Sequence, residues 1–141
     1  MSEATEQSNR RLLRVRDAMD RTYAEPLDVR ALARIAHTSE AHFIRTFRAT
    51  FGETPHRYLQ RRRVERAMYL LRRTEREVTE ICLDVGFGSL GTFSRTFRDI
   101  VGAAPSEFRK QKNEIKAVPA CFAMAWTRPS SFGEARARRR T

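Results

Sequence analysis

The sequence predicts an all-α fold that contains the same helix-turn-helix unit twice. The main observation is an internal repeat: residues 43–48 read Phe-Ile-Arg-Thr-Phe-Arg, and residues 93–98, fifty positions later, read Phe-Ser-Arg-Thr-Phe-Arg. The apolar residues of both copies recur at helical spacing, and two matching glycines, Gly52 and Gly102, follow them. Two copies are too few for a solenoid, so a pseudo-symmetric pair of lobes is expected.

Each copy reads as a helix, a tight turn and a second helix. In the first copy Leu32 and its apolar neighbours suit a short helix, and Phe43 and Phe47 lie on one face of the helix that follows. The turn between them ends in Ser39, a residue type that favours helix N-caps. Ser89 stands at the same place in the second copy.

Two further helices flank the first copy. An apolar stripe from Leu12 to about Ala24 predicts an opening helix, and no helix breaker interrupts the chain from Pro55 to about Arg73. The second of these helices is roughly 28 Å long, comparable with the roughly 34 Å between successive major-groove faces on one side of B-DNA. It is therefore a suitable spacer between two lobes. Its apolar residues, which can face both lobes, are Leu59, Val64, Ala67, Met68 and Leu71.

Size and charge limit the class of protein. A chain of 141 residues fits one domain or two very small lobes. The 28 Lys and Arg residues against 17 Asp and Glu give a formal net charge of +11. This excess favours a polyanionic partner, although anionic membranes and acidic proteins attract the same surface as nucleic acids do.

Other classes are disfavoured by what the sequence lacks. Cys82 and Cys121 are the only cysteines, too few for a disulfide framework and without zinc-finger spacing, which favours a reduced, cytosolic setting. Residues 1–9 do not resemble a signal peptide, and no stretch is long and apolar enough to cross a bilayer, so the cytoplasm is the expected location. Because the histidines are scattered, we expect no enzyme, no metal site and no cofactor.

The outward faces of the two second helices are the candidate nucleic-acid contacts. If Phe43 and Phe47 face the core, the opposite face carries residues at i, i+3, i+4 and i+7. In helix-turn-helix proteins such faces enter the major groove. In the first copy these residues are Ala41, Ile44, Arg45 and Arg48; in the second they are Gly91, Ser94, Arg95 and Arg98, with Leu90 and Thr92 near the helix start.

The chemistry of these side chains leaves alternatives open. Arg45 and Arg95 can each bind guanine through two hydrogen bonds, for about 1–3 kcal/mol of base discrimination, or can contact phosphate instead. Ile44 and Leu90 can contact thymine methyl groups, or can pack against a neighbouring helix. His42, near Arg45, is expected to meet phosphate or solvent rather than a metal ion.

Basic residues elsewhere are expected to add affinity more than specificity. The arginines between Arg57 and Arg63 can neutralise phosphates between two grooves, and Arg136–Arg140 is a loose basic tail. The rest of segment 113–141 is too apolar for a simple tail, and it either packs on the second lobe or binds a partner. The residues predicted to contact phosphate are Ser39, Arg48, Arg57, Arg61, Arg62, Ser89, Ser94 and Arg98.

A set of residues in both copies carries a family resemblance, and the match runs from about Leu12 to Lys112. In the first copy the residues are Leu32-Ala33, Ser39, Phe43 to Phe47, Gly52, Pro55, Tyr58 and Leu59. In the second they are Val85-Gly86-Phe87, Phe93, Arg95, Phe97, Gly102, Pro105 and Phe108-Arg109. With these motifs the chain resembles the DNA-binding domain of the AraC/XylS family of bacterial transcription regulators.

The resemblance implies about seven helices in two lobes, each lobe a homeodomain-like three-helix unit. The lobes would cover residues 11–54 and 76–112, with the spacer helix over 55–73 and a polar arm over 1–10. Both recognition helices would enter adjacent major grooves of double-stranded promoter DNA, and the protein would contact RNA polymerase, more as an activator than as a repressor. The positions that read bases in relatives are here Ala41, Ile44, Arg45, Leu90, Gly91, Thr92 and Arg95.

The sequence departs from the family pattern at Ala41, Leu90 and Gly91, where many relatives carry large or amide side chains. Fewer hydrogen bonds to bases are then available, so specificity would depend on Arg45, Arg95 and DNA shape. The chain is also similar to stand-alone members that bind asymmetric sites as monomers and are controlled by their own abundance. Rival classes stay open. They are a basic protein that binds nucleic acid without sequence specificity, an RNA-binding module, and a helical adaptor for an acidic protein.

Overall fold

The structure, a computed structural model, describes residues 2–111, and this part of the chain contains seven α-helices and no strand. The all-α prediction is confirmed, and the spacer helix has the predicted bounds. Cys121, the run Arg136–Arg140 and the whole segment 113–141 lie outside the described residues. The helices are α1 (Glu3–Arg21), α2 (Val29–Ala36), α3 (Glu40–Phe51), α4 (Pro55–Arg73), α5 (Val78–Asp84), α6 (Leu90–Val101) and α7 (Pro105–Lys110).

The chain divides into two compact units, and the division falls inside α4. The first unit ends at Arg62 and the second begins at Arg63. Leu59 is buried in the core of the first unit, and Val64 belongs to the second and is fully buried. The sequence predicted a spacer helix between two lobes, whereas the structure assigns each part of α4 to one unit. This difference has a simple cause, because apolar residues occur along the whole length of α4 and each part must be covered.

The first unit is built around a cluster of aromatic rings from α3 and α4. Phe43 and Phe47 are fully buried, and their ring centroids are 5.7 Å apart in an edge-to-face arrangement. The Phe47 ring also contacts Phe51 at 4.6 Å and Tyr58 at 5.8 Å. Aromatic pairs at these distances favour such tilted geometries. Leu12 of α1 and other small apolar residues complete this core.

The second unit repeats this arrangement with its own rings. The Phe93 ring lies 5.1 Å from Phe87 and 5.7 Å from Phe97, and Phe97 lies 5.6 Å from Phe108. Cys82 of α5 is also buried in this unit. Burial raises the pKa of the Cys82 thiol, so the thiolate that would act as a nucleophile is disfavoured.

The opening helix is longer at its start than the sequence predicted. The apolar stripe indicated a helix from Leu12 to about Ala24, but α1 covers Glu3–Arg21, so most of the predicted polar arm is helical. The Ser2 side chain caps α1 by accepting a hydrogen bond from the Thr5 backbone N–H. Acidic residues in the first turn interact favourably with the helix dipole and stabilise the helix. At the other end α1 stops at Arg21, before Ala24, and the Thr22 hydroxyl donates a hydrogen bond to the Ala18 carbonyl.

The internal repeat also includes α1, which the sequence comparison did not detect. Four of the five buried residues of α1 fall on buried positions in the second part of α4, with a shift of 52 instead of 50, and both helices end at an arginine. Few residue types match over this stretch, so only the burial pattern shows the correspondence. The buried residues Leu12, Val15 and Met19 correspond in this way to Val64, Ala67 and Leu71.

The last turns of these two helices are packed differently. In the first unit Asp20 accepts hydrogen bonds from the Tyr58 hydroxyl at 2.7 Å and from Arg62 Nε at 3.0 Å. In the second unit Arg72 holds the equivalent place, and its guanidinium carbon lies 4.3 Å from the ring centroid of Phe108. Burial lowers the pKa of Arg72. A polar network in one unit is thus replaced by a cation–π contact in the other.

The turns inside the two helix-turn-helix motifs differ in residue type but share a backbone conformation with positive φ. Both use a left-handed backbone, at His37 (φ 61°) in the first unit and at Gly86 (φ 104°) in the second. A residue with a Cβ atom pays a conformational penalty in this region that glycine avoids.

We expect His37→Gly to raise the free energy of unfolding by about 0.5–1 kcal/mol, because glycine relieves the left-handed strain. Gly52→Ala is the matched reverse change: Gly52 has φ 80° and a Cβ there would meet no atom within 4 Å, so its cost is conformational. Urea unfolding followed by circular dichroism measures both. A less stable His37→Gly variant would contradict the expectation.

Candidate nucleic-acid interface

The structure presents the predicted outward faces of α3 and α6 to solvent. In α3, Ala41, Arg45 and Arg48 are exposed while Phe43 and Phe47 are buried. Ile44 is 38% exposed. The exposed face is therefore the one that the phenylalanine spacing predicted. It presents two arginines, which can donate hydrogen bonds, beside one apolar side chain.

The outward face of α6 has the same layout with smaller side chains. Gly91, Thr92, Arg95 and Arg98 are exposed, and Ser94 is half-buried. A Cβ at Gly91 would meet no atom within 4 Å, so packing in the protein does not require a glycine there.

Two large apolar side chains on these faces are uncovered. Leu90 at the start of α6 is 44% exposed, a fraction similar to that of Ile44. Within residues 2–111, neighbouring helices therefore leave part of Ile44 and of Leu90 open to solvent, and their contact with thymine methyl groups stays a prediction.

The serines that precede α3 and α6 are helix caps. Ser39 accepts a hydrogen bond from the His42 backbone N–H, and Ser89 accepts one from the Thr92 backbone N–H, both at 3.2 Å. The Ser89 hydroxyl is also 2.9 Å from the Thr92 hydroxyl. These bonds fix the start of each recognition helix at the same register, which places the arginines equivalently in the two units.

The spacer arginines are less available than the sequence suggested. Arg61 forms an ion pair with Glu53 at 2.7 Å. Arg62 forms one with Asp20, and in this pair the Arg62 side chain is 11% exposed and the Asp20 side chain 2%. Arg63 is half-buried beside the Phe87 ring, and burial lowers its pKa. Carboxylates of their own unit already bind Arg61 and Arg62, and contact of these two arginines with phosphate stays a prediction. Arg57 is exposed.

The first helices of the two helix-turn-helix motifs, α2 and α5, carry opposite charges on their exposed faces. Arg30 and Arg34 are exposed on α2, and the shift of 50 places Glu80 and Asp84 at the same positions on α5. Arg76 binds both of these acidic residues, and its hydrogen bond to Asp84 raises its pKa. Sequence reasoning missed this reversal, although the aligned copies already contain it.

Two other classes of site receive no support within residues 2–111. His42 is exposed and its backbone serves the α3 cap, and no three His, Cys, Asp or Glu side chains of the described chain are grouped as metal ligands. No helix in the same range combines the length and apolarity that crossing a bilayer requires.

Comparison with known proteins places these features in context. A family model described as a helix-turn-helix domain matches residues 32–111. The chain is 34% identical over 91 residues to the regulatory protein SoxS of Salmonella typhimurium, covering 64% of this chain and 85% of SoxS. It is 35% identical over 82 residues to an uncharacterised helix-turn-helix transcriptional regulator of Haemophilus influenzae, covering 58% of this chain but only 28% of that protein. Some relatives are thus much longer than the region they share with this chain.

A solved structure extends the comparison to a protein bound to DNA. The DNA-binding domain of AdpA, a global transcriptional factor crystallised in complex with a target DNA, superposes with a TM-score of 0.68 at 30% sequence identity. The match covers 74% of this chain and 95% of that domain.

Proposed function

The chain belongs to the AraC-type family of helix-turn-helix transcription regulators, and from this premise we propose that it activates transcription by placing α3 and α6 in adjacent major grooves of promoter DNA. A DNA-binding domain of this type makes the protein a transcription regulator. The proposal adds which residues read the DNA and what the protein does at the promoter.

The observation that carries the proposal is the matched geometry of α3 and α6. Both helices have 12 residues, both begin after a serine cap, and each buries two phenylalanines on the face opposite its arginines. Arg45 and Arg95 therefore project at the same register from two separate units. A single chain with two such faces can contact two grooves without dimerisation, which supports binding as a monomer.

The chemistry of the two faces suits base recognition. Arg45 and Arg95 each bind guanine O6 and N7, while Ile44 and Leu90 contact thymine methyl groups. The small residues Ala41 and Gly91 let the backbone approach the base edges, and Thr92 adds a hydroxyl. Phosphates are bound on either side by Arg48, Arg57, Arg98, Ser39, Ser89 and Ser94.

The rival classes fit the structure less well. An RNA reader presents aromatic rings on an accessible surface, whereas Phe43, Phe47, Phe93 and Phe97 are fully buried here. An adaptor for an acidic protein has no need of two arginines at equivalent positions. The proposed contact with RNA polymerase rests on membership of the family, and a stimulation of transcription in a purified system tests it.

We expect Arg45→Ala and Arg95→Ala each to relax one half of the binding site. Selection of sites from random duplex DNA should yield two short blocks of conserved bases, and each variant should lose about tenfold or more of the discrimination in one block, since a bidentate arginine contributes about 1–3 kcal/mol. Arg10→Ala removes the same charge from an exposed residue of α1 and serves as the control.

The control should weaken binding to all sequences slightly and alike. If Arg45→Ala and Arg95→Ala behave in the same uniform way, the arginines hold phosphates and the protein does not read bases through them. Mobility shifts against single strands and RNA complete the test, because the proposal requires a preference for duplex DNA.

A further inference from the structure

Glu40 is a charged residue at the start of the first recognition helix. It is the first residue of α3, and the shift of 50 places it on Leu90, the first residue of α6. Because Ser39 and Ser89 cap the two helices with the same hydrogen bond, the two positions are structurally equivalent. We propose that Glu40 is a specificity-determining residue that selects cytosine in the first half of the binding site, an inference that rests on the proposed function.

The position of Glu40 aligns it with a proposed base contact. Residues four positions apart lie one above the other on a helix, so Glu40 and Ile44 share one side of α3. Ile44 is exposed on that side. The N-terminal turns of a recognition helix are the turns that reach base edges, so Glu40 begins the row of side chains that meets the groove.

In the protein without DNA, Glu40 forms a loose ion pair, its one polar side-chain contact within residues 2–111. Its carboxylate lies 3.6 Å from Arg30 Nε on α2, and the two side chains are 53% and 77% exposed. Solvent screens such a pair, so exchanging it for another partner costs little. The carboxylate is not needed as a cap either, because Ser39 already accepts the hydrogen bond at the start of α3.

The chemistry of a carboxylate restricts which base it can meet. A carboxylate accepts hydrogen bonds and cannot donate them, and in the major groove the cytosine amino group is the donor it pairs with. Guanine and thymine present acceptor oxygens there, and in adenine the N7 acceptor lies beside the amino group. Glu40 therefore disfavours every base but cytosine at this position, while Leu90 makes no such selection in the second unit. Arg30, released from the pair, then faces the phosphates.

The test compares the full chain with Glu40→Gln and with the control Glu80→Gln. Glu80 is an exposed glutamate on α5 that also pairs with an arginine, so its replacement changes the net charge equally but lies outside both recognition helices. Sites are selected from random duplex DNA for all three proteins, and binding is then measured on the selected site and on a version with the cytosine changed to thymine.

The native chain is expected to conserve a cytosine in one block and to lose about tenfold in affinity when it is replaced. Glu40→Gln should accept adenine there, because glutamine pairs with adenine N6 and N7, and should leave the other positions unchanged. Glu80→Gln should keep the native preference. Identical site preferences for Glu40→Gln and the native chain would overturn the inference while leaving the proposed function intact. Sequence-blind binding by the native chain would overturn both.

Discussion

Replacing Asp20 with alanine should lower the free energy of unfolding of the first unit by about 3–5 kcal/mol, because it removes one partner of a buried ion pair. The Asp20 carboxylate is almost fully buried between Tyr58 and Arg62, and the Arg62 side chain is itself largely covered. Without Asp20 the guanidinium group stays largely covered and loses the counter-charge that Asp20 supplies. Urea unfolding of the purified protein, followed by circular dichroism, measures the loss.

Tyr58→Phe is the matched control for the Asp20 network. It removes one hydrogen bond and leaves the ion pair, and the second unit already contains a phenylalanine at this place, Phe108. We expect this variant to lose only about 1 kcal/mol. An Asp20→Ala variant that is no less stable than Tyr58→Phe would show that the ion pair contributes nothing to the fold.

Replacing Phe97 with alanine should destabilise the second unit by about 3–5 kcal/mol, since it removes a fully buried ring from the centre of a small core. The Phe97 ring contacts Phe93 at 5.7 Å and Phe108 at 5.6 Å, so the cavity would open between α6 and α7 of the second unit. Such a loss is comparable with the whole stability of a small domain. The second block of the binding site should then no longer be recognised.

Phe47→Ala makes the same change in the first unit and should remove recognition of the first block instead. Leu83→Ala is the control, because Leu83 is 61% exposed and its truncation should change stability by less than about 0.5 kcal/mol. DNA footprinting of each variant reports the two blocks separately. Loss of both blocks in both phenylalanine variants would contradict the idea that each unit depends on its own core.

Much of the fold was predictable because it is written in local patterns. The spacing of Phe43 and Phe47, the serine caps and the glycine stops each act within one or two helical turns, so the sequence alone places α2, α3 and α6. The start of α1 was missed because its first turns have no apolar stripe. These turns are helical because Ser2 caps the helix and because the acidic residues Glu3 and Glu6 lie in its first turn, where they interact favourably with the helix dipole.

The candidate site was predictable to the extent that it depends on one helix. The outward direction of Arg45 and Arg95 follows from the buried phenylalanines beside them. The state of Arg62 could not be foreseen, because its partner Asp20 lies 42 positions earlier and the pairing depends on how α1 packs in the first unit. Glu40 was overlooked for a different reason: in one sequence it is a common helix-start residue, and only its equivalence with Leu90 singles it out.

The reversed charges of α2 and α5 give the protein a built-in direction. If each helix-turn-helix motif binds as proposed, with its first helix across the DNA backbone, phosphates attract Arg30 and Arg34 and repel Glu80 and Asp84, whose charge Arg76 neutralises only in part. Two identical units could exchange places on the two halves of a binding site at equal energy, whereas these two cannot. A site that is inverted within a promoter would then be bound by a protein turned end for end. The DNA strand that carries the binding site therefore matters for regulation.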